Sequence, residues 1–388
     1  MYDNLRLEIT GQCDAGCLYC HAAKHNCPKE IKDELTTQRR LEIIDESKKL
    51  GAKRVTLTGG EPFLNPDWGK IAKYCGECGM QVVISTNGKH FSDKNIKTIR
   101  SMPFICEIRA SVDGLEANNL IRIGDDYNES LEGFKKVKKE LPKVRLMIQT
   151  TCCKQNLQDL MPLYEKLKQI GIDHWRLSQV WRTDKMMQNQ GKVDFPSYDA
   201  LFQTYVDIIK RYQADEKPFR LAVYNTYDSD ITTEDYVSME MDKHPCLYQF
   251  KNSCVKANGD LVFCPALNIP MVSAKEQTIG SAIENSPWFD NFGKIVISSI
   301  PCGNCRYRGI CGGGCRADAL TWLGDIKAID PNSCCLMARV EEYIIPLLDD
   351  EEQKAYSQLI DKNGNNPPIS GQTIEDAVEM AKATLNAE

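Results

Sequence analysis

A chain of 388 residues, 42% hydrophobic and 26% charged, is long enough for two domains with cores of their own, and its net charge of -6 gives no sign of a nucleic-acid surface. No stretch approaches the roughly 18 consecutive apolar residues of a membrane span, and the start Met-Tyr-Asp-Asn-Leu-Arg lacks the regions of a signal peptide, so a cytoplasmic protein is expected. Eighteen cysteines in a reducing compartment point to metal binding or catalysis rather than disulfides.

In chain order, short apolar runs alternate with amphipathic segments, the pattern of repeated β-α units and a parallel sheet. Strands are predicted at 4–10, 54–58, 81–85, 104–111, 144–150 and 173–178, and helices at 37–50, 67–78, 93–101, 129–140 and 157–170. Thr36 suits the N-cap of the first helix, and Gly51 and Gly171 follow helix ends. Six such units fall two short of a closed eight-stranded barrel, so an open, curved sheet with a lateral cleft is expected. From 183 to 243 the chain is polar, with a helix pattern over Tyr198–Tyr212. A cysteine-rich module follows from 246, then an amphipathic helix over Leu336–Leu348 and a last helix from about Thr373.

Chemistry in this architecture gathers at the carboxyl ends of strands. Four segments fall there: Cys13-Asp-Ala-Gly-Cys17-Leu-Tyr-Cys20 after the first strand, Gly59-Gly60-Glu61-Pro62 after the second, Ser85-Thr86-Asn87-Gly88 after the third and Ser111-Val112-Asp113-Gly114 after the fourth. Three thiolates at the spacing of Cys13, Cys17 and Cys20 can hold three corners of a four-iron cube and leave the fourth iron open. A zinc knuckle with His21 as fourth ligand is the alternative on the local motif alone. Cys27, Cys75, Cys78, Cys106, Cys152 and Cys153 read as small buried hydrophobes.

The cysteine triplet and the Gly-Gly-Glu-Pro segment, in this order on strand ends, resemble the radical S-adenosylmethionine (SAM) enzymes. The later array resembles the SPASM extension of that superfamily: Cys246-x12-Gly259-x4-Cys264, then Cys302-x2-Cys305-x5-Cys311-x3-Cys315, then Cys334-Cys335. The resemblance implies a partial (β/α)6 TIM-like barrel over 1–182, a connector over 183–245, a SPASM domain with a β-hairpin over 246–340 and a helical tail over 341–388. It implies SAM and three [4Fe-4S] clusters. Cys13, Cys17 and Cys20 would hold the SAM-binding cluster, Cys246, Cys264 and Cys315 the first auxiliary cluster, and Cys302, Cys305, Cys311 and Cys334 the second. Gly59, Gly60 and Glu61 would take the SAM amino group, Thr86, Asn87 and Ser111 the ribose and methionine ends, Arg122 the carboxylate and Tyr19 the adenine.

Asp113, at a strand end facing the proposed cleft, is a candidate base, and Gln149 and Arg176 are further candidates on strands five and six. Asn258-Gly259 reads as a two-residue hairpin pairing Ala257 with Asp260, Cys254 with Phe263 and Ser253 with Cys264, which points Cys254 away from the cluster of Cys264. Cys334 is preferred over its neighbour Cys335. The expected activity is hydrogen abstraction from a peptide or protein by a SAM-derived 5'-deoxyadenosyl radical, ending in oxidation, crosslinking or epimerisation. The alternative is a dehydrogenase or epimerase of a small molecule such as a sugar or aminocyclitol. A reductant such as flavodoxin or ferredoxin is implied. Since the first strand begins by residue 4, a separate leader-binding protein, leaderless recognition or another substrate class is expected.

Overall fold

The computed structural model describes residues 3–22, 32–230, 244–246, 252–262, 264–266, 270–367 and 369–385; Cys27 and Phe263 lie outside them. The six predicted strands are present: β1 (Asn4–Glu8), β3 (Arg54–Thr58), β4 (Gln81–Thr86), β5 (Ile105–Ser111), β7 (Arg145–Cys152) and β8 (His174–Gln179). The short strands β2 (Gly16–Cys17) and β6 (Arg122–Ile123) form a separate antiparallel ribbon. Along each long strand one set of alternate side chains, such as Leu5, Leu7, Ile108, Ile148 and Trp175, is buried in the hydrophobic core. The other set faces the lumen and is mostly polar, with Arg6, Glu8, Glu107, Arg109, Gln149 and Arg176 beside the apolar Val83 and Met147.

The sheet extends further than the six units. β9 (Arg220–Val223), from the stretch read as a connector, pairs parallel with β8, and β11 (Asn252–Val255), from the cysteine-rich module, pairs parallel with β1. With β10 (Tyr227–Asp228), β12 (Asp260–Val262) and β13 (Pro270–Ser273), these give one eleven-stranded sheet in the order β10-β9-β8-β7-β5-β4-β3-β1-β11-β12-β13. The α/β class and the parallel barrel-like sheet agree with the expectation, but the module's hairpin is built into that sheet.

Helices cover the outer face. The first runs over Thr37–Lys49, with the Thr36 side chain accepting from Arg39 N. The helix over Leu160–Ile170 ends on Gly171 in the left-handed conformation. The helix expected over 336–348 begins earlier, at Pro331, because Asp330 caps it by accepting from Asn332 N and Ser333 N. After Arg339 it widens into a π-turn over Val340–Ile344 and tightens into a 3-10 turn over Ile345–Leu347. Pro346 explains the change, since it lacks an N–H and its ring crowds the carbonyl four residues back. Among the described residues no helix is long and apolar enough to cross a membrane.

Candidate active site

The cysteine loop leaves β1 and is stitched to the end of β3. Gly60 N donates to Thr10 O at 2.8 Å and Glu61 N to Gln12 O at 2.7 Å. The approach is too close for any side chain: a Cβ on Gly59 would lie 2.1 Å from Thr10 O, and one on Gly60 2.0 Å from Gln12 O. The two N–H groups are thereby used within the chain, while the carbonyls of Gly59 and Gly60 remain as acceptors, the polarity an ammonium group requires.

Glu61 is fully buried and joins three segments. It accepts from Phe63 N (3.1 Å), Thr86 Oγ1 (2.9 Å) and Asn87 N (2.7 Å). Burial raises its carboxyl to about 7 against these donors. Thr86 thus has its hydroxyl on Glu61 in this structure. Asn87 turns its amide to Asp14 Oδ1 at 2.7 Å, and Asp14 also pairs with Lys89 (3.1 Å) and His90 (3.0 Å), so the loop after β4 clamps the cysteine loop from the other side. A third clamp is Glu34, which accepts from Thr10 Oγ1 and Gly11 N and pairs with Arg40. Asp14 and Glu34 carry no motif, and a sequence offers no signal for them.

Two expected roles meet a different geometry. Asp113 does not face the cleft; it is 1% exposed and is surrounded by donors, accepting from Tyr19 Oη, Thr151 N (2.6 Å) and Arg122 Nη1 (3.5 Å). Burial raises its carboxyl while Arg122 lowers it. Asp113 has the parity of the lumen-facing Ser111, but it lies two residues past the end of β5, where strand alternation no longer holds and Tyr19, Thr151 and Arg122 enclose it. Arg122, expected to fork onto a carboxylate of SAM, directs Nε (2.6 Å) and Nη2 (2.5 Å) to Asp125 and donates through Nη1 to Tyr19 Oη (3.2 Å). Its fork is occupied by the acid three residues on. Tyr19, Asp113, Arg122 and Asp125 form one buried network beneath the cysteines. Ser111 stands half-buried on the lumen face with no side-chain hydrogen bond among the described residues.

Cys13, Cys17 and Cys20 are half-buried and within electrostatic reach of one another; burial pushes the Cys13 thiol up to about 11 and Cys17 to about 12. Among the described residues no three His, Cys, Asp or Glu side chains stand close enough to hold a single metal ion. Three thiols within electrostatic reach of one another on one loop are the donor set of an iron–sulfur cube, and these residues fit that group.

In the second array, Cys334 has Cys311, Cys302 and Cys305 among its electrostatic neighbours. Cys335 is fully buried and lies instead by Tyr198 and Arg339. Gly312, Gly313 and Gly314 all take positive φ (63°, 87° and 73°), a left-handed run that carries the chain from Cys311 to Cys315. Cys315 neighbours Cys264, whereas Cys246 packs against the apolar cluster of Phe292, Ile295 and Ile300, against which Cys302 also packs. The hairpin register differs by one from the expectation. Cys254 pairs with Val262, Val255 with Leu261, and Lys256 N donates to Asp260 O, so the loop is the three residues Ala257-Asn258-Gly259 with Gly259 at φ 93°. Cys254 then shares its face with its partner Val262, and the Cys254 and Cys264 thiols are electrostatic neighbours. Cys254 is buried as expected, but it does not point away from Cys264. Of the six cysteines read as structural, Cys75, Cys152 and Cys153 are buried and Cys78 and Cys106 half-buried.

Residues 7–167, which hold the cysteine loop and the Gly-Gly-Glu-Pro turn, match the radical SAM superfamily. The chain carries a radical SAM domain. Relatives of the radical SAM chain include the AdoMet-dependent heme synthase of Methanosarcina barkeri, 25% identical, covering 84% of this chain and 94% of that one. The PqqA peptide cyclase of Bradyrhizobium diazoefficiens is 22% identical, covering 95% and 94%. Among solved structures, native anSMEcpe with bound AdoMet and Kp18Cys peptide superposes with a TM-score of 0.70 at 13% identity, covering 92% of this chain and all of that one. The radical SAM match over residues 7–167 supports an enzyme, and 92% of the chain shares the fold of anSMEcpe.

Proposed function

We propose that this enzyme reductively cleaves SAM and abstracts hydrogen from a peptide or protein, which leaves the substrate oxidised, crosslinked or epimerised. When bound, the cluster and SAM supply the 5'-deoxyadenosyl radical; the chain holds, orients and shields. Cys13, Cys17 and Cys20 would hold the SAM-binding cluster. The carbonyls of Gly59 and Gly60 with Glu61 would receive the SAM amino group, Thr86 and Asn87 would act by fixing Glu61, and Tyr19 and Ser111 would border the nucleoside. Asp113, Arg122 and Asp125 would set Tyr19 in place. Two auxiliary clusters would be held by the later array, in which Cys254 joins Cys246, Cys264 and Cys315 as a candidate ligand. A flavodoxin or ferredoxin would deliver electrons, and a separate leader-binding protein would present a precursor.

The observation that carries this reading is the pair of backbone hydrogen bonds tying Gly60 and Glu61 to the cysteine loop, which joins the cluster site and the amino-group site into one unit. A small-molecule substrate is the second reading. It is favoured by the likeness to the heme synthase over 94% of that protein's length.

Anaerobically reconstituted protein is expected to hold about twelve irons, three cubes of four. With a strong reductant and SAM it forms 5'-deoxyadenosine without substrate. Replacing Cys13, Cys17 and Cys20 together with Ala abolishes that and leaves about eight irons. SAM cleavage by the triple variant would overturn the proposal. Mass spectrometry in deuterated solvent then distinguishes a peptide product from a small-molecule one.

A further inference from the structure

We infer that Arg176 anchors a carboxylate of the substrate inside the barrel lumen, with Gln149 beside it. On β8 the buried Trp175 and Leu177 flank Arg176, which faces the lumen half-buried. Register sets Arg176 next to Gln149 on β7, Gln149 next to Ser111 on β5, and Arg176 next to the small Ala222 on β9. Ser111, Gln149 and Arg176 make no side-chain hydrogen bond among the described residues. Two residues down β8, His174 is buried with both ring nitrogens unpartnered among the described residues. Burial, then Arg220, lowers its pKa to about 4, so it stays neutral and able to donate or accept. Polar groups without partners on the wall of a cleft mark a ligand site.

Charge identifies the ligand. Arg109 and Arg145 pair with Glu107, and Arg220 pairs with Asp228 and Asp230. Arg176 has no carboxylate at ion-pair distance among the described residues. A planar fork left unpaired in a partly desolvated lumen matches a carboxylate, which can take two parallel hydrogen bonds. The position suits a substrate: the chain leaving β8 returns to the cysteine loop, where Thr183 Oγ1 donates to Tyr19 O at 3.2 Å. The carboxylate belongs to an acidic residue of a peptide or to a small organic acid. This inference rests on the proposed reaction and narrows its substrate class.

The test uses the cluster-loaded full chain with SAM, in anaerobic equilibrium dialysis against two probe pairs: an acetylated pentapeptide with a central Glu and its Gln counterpart, and glutarate and its diamide. The acid of at least one pair is expected to bind about tenfold or more tighter than its amide. Arg176→Gln and Arg176→Ala bring acid and amide to parity, and Arg176→Lys keeps part of the difference. Preference for the Glu peptide assigns a peptide source, and preference for glutarate alone a small acid. Parity in the wild type, or a preference that survives Arg176→Gln, overturns the inference. SAM cleavage without substrate stays unchanged in Arg176→Gln; its loss would put Arg176 on SAM and also overturn the inference. Failure of the wild type to cleave SAM would count against the proposed function instead.

Discussion

Gly60→Ala is the sharpest perturbation of the proposed cofactor site. The new Cβ would lie 2.0 Å from Gln12 O, 2.5 Å from Gln12 C and 2.8 Å from Gly11 O, all backbone atoms that no rotamer change can move. Relief requires the cysteine loop to lift from β3, which breaks Gly60 N to Thr10 O and Glu61 N to Gln12 O. Two backbone hydrogen bonds at about 1 kcal/mol each and an overpacking cost of about 1–3 kcal/mol give about 3–5 kcal/mol, concentrated on the loop. The matched control is Gly171→Ala: φ is 72° but nothing lies within 4 Å of its Cβ, so only the left-handed backbone is strained, by about 1–2 kcal/mol. Iron content after anaerobic reconstitution, read beside urea unfolding, separates the two. Gly60→Ala is expected to lose about four irons and SAM cleavage, while Gly171→Ala keeps both at slightly lower stability. Full iron and cleavage in Gly60→Ala would refute the account of why two glycines stand there.

Three further outcomes follow from the same geometry. Asp113→Asn weakens the hold on Arg122 and Tyr19, a buried charge network whose disruption costs about 3–5 kcal/mol, so SAM cleavage without substrate falls together with substrate turnover; loss of turnover alone would restore Asp113 as a base. Cys334→Ala reduces reconstituted iron by up to about four, whereas Cys335→Ala keeps the iron and lowers stability by about 1 kcal/mol; the opposite result would reverse their assignment. Burial alone would raise Glu107, yet Arg109 and Arg145 hold its carboxyl below the usual range. Its contribution is complete above the unfolded value of about 4.3 and disappears as pH falls through the lower folded value. Glu107→Gln therefore costs about 1–3 kcal/mol at pH 7, with the gap to wild type closing below about pH 4 in denaturant titrations. An unchanged gap at pH 3 would exclude the linkage.

The six barrel strands were legible as short apolar runs between amphipathic segments, and β1, β3, β4 and β5 are followed by Gly, Thr or Asn turns. The pairing of β9 with β8 and of β11 with β1 was not, because parallel partners far apart in sequence leave no local mark. Asn258-Gly259 announced a hairpin but suits both two- and three-residue loops, and the one-residue difference turned Cys254 to the other face. The two cysteine motifs exposed the candidate site, since spacing is a local property. Which way Asp113 and Arg122 turn depended on Tyr19 and Asp125, and such encirclement becomes visible only when the loop is folded back over β5.

The docking of β11 along β1 has a practical corollary. Cutting the chain before Asn252 would strip β1 of one neighbour and leave its N–H and C=O groups, from Asn4 to Leu7, as a naked ribbon edge. Such edges recruit other chains, so a shortened barrel prepared for expression would self-associate and precipitate rather than behave as a miniature of the whole.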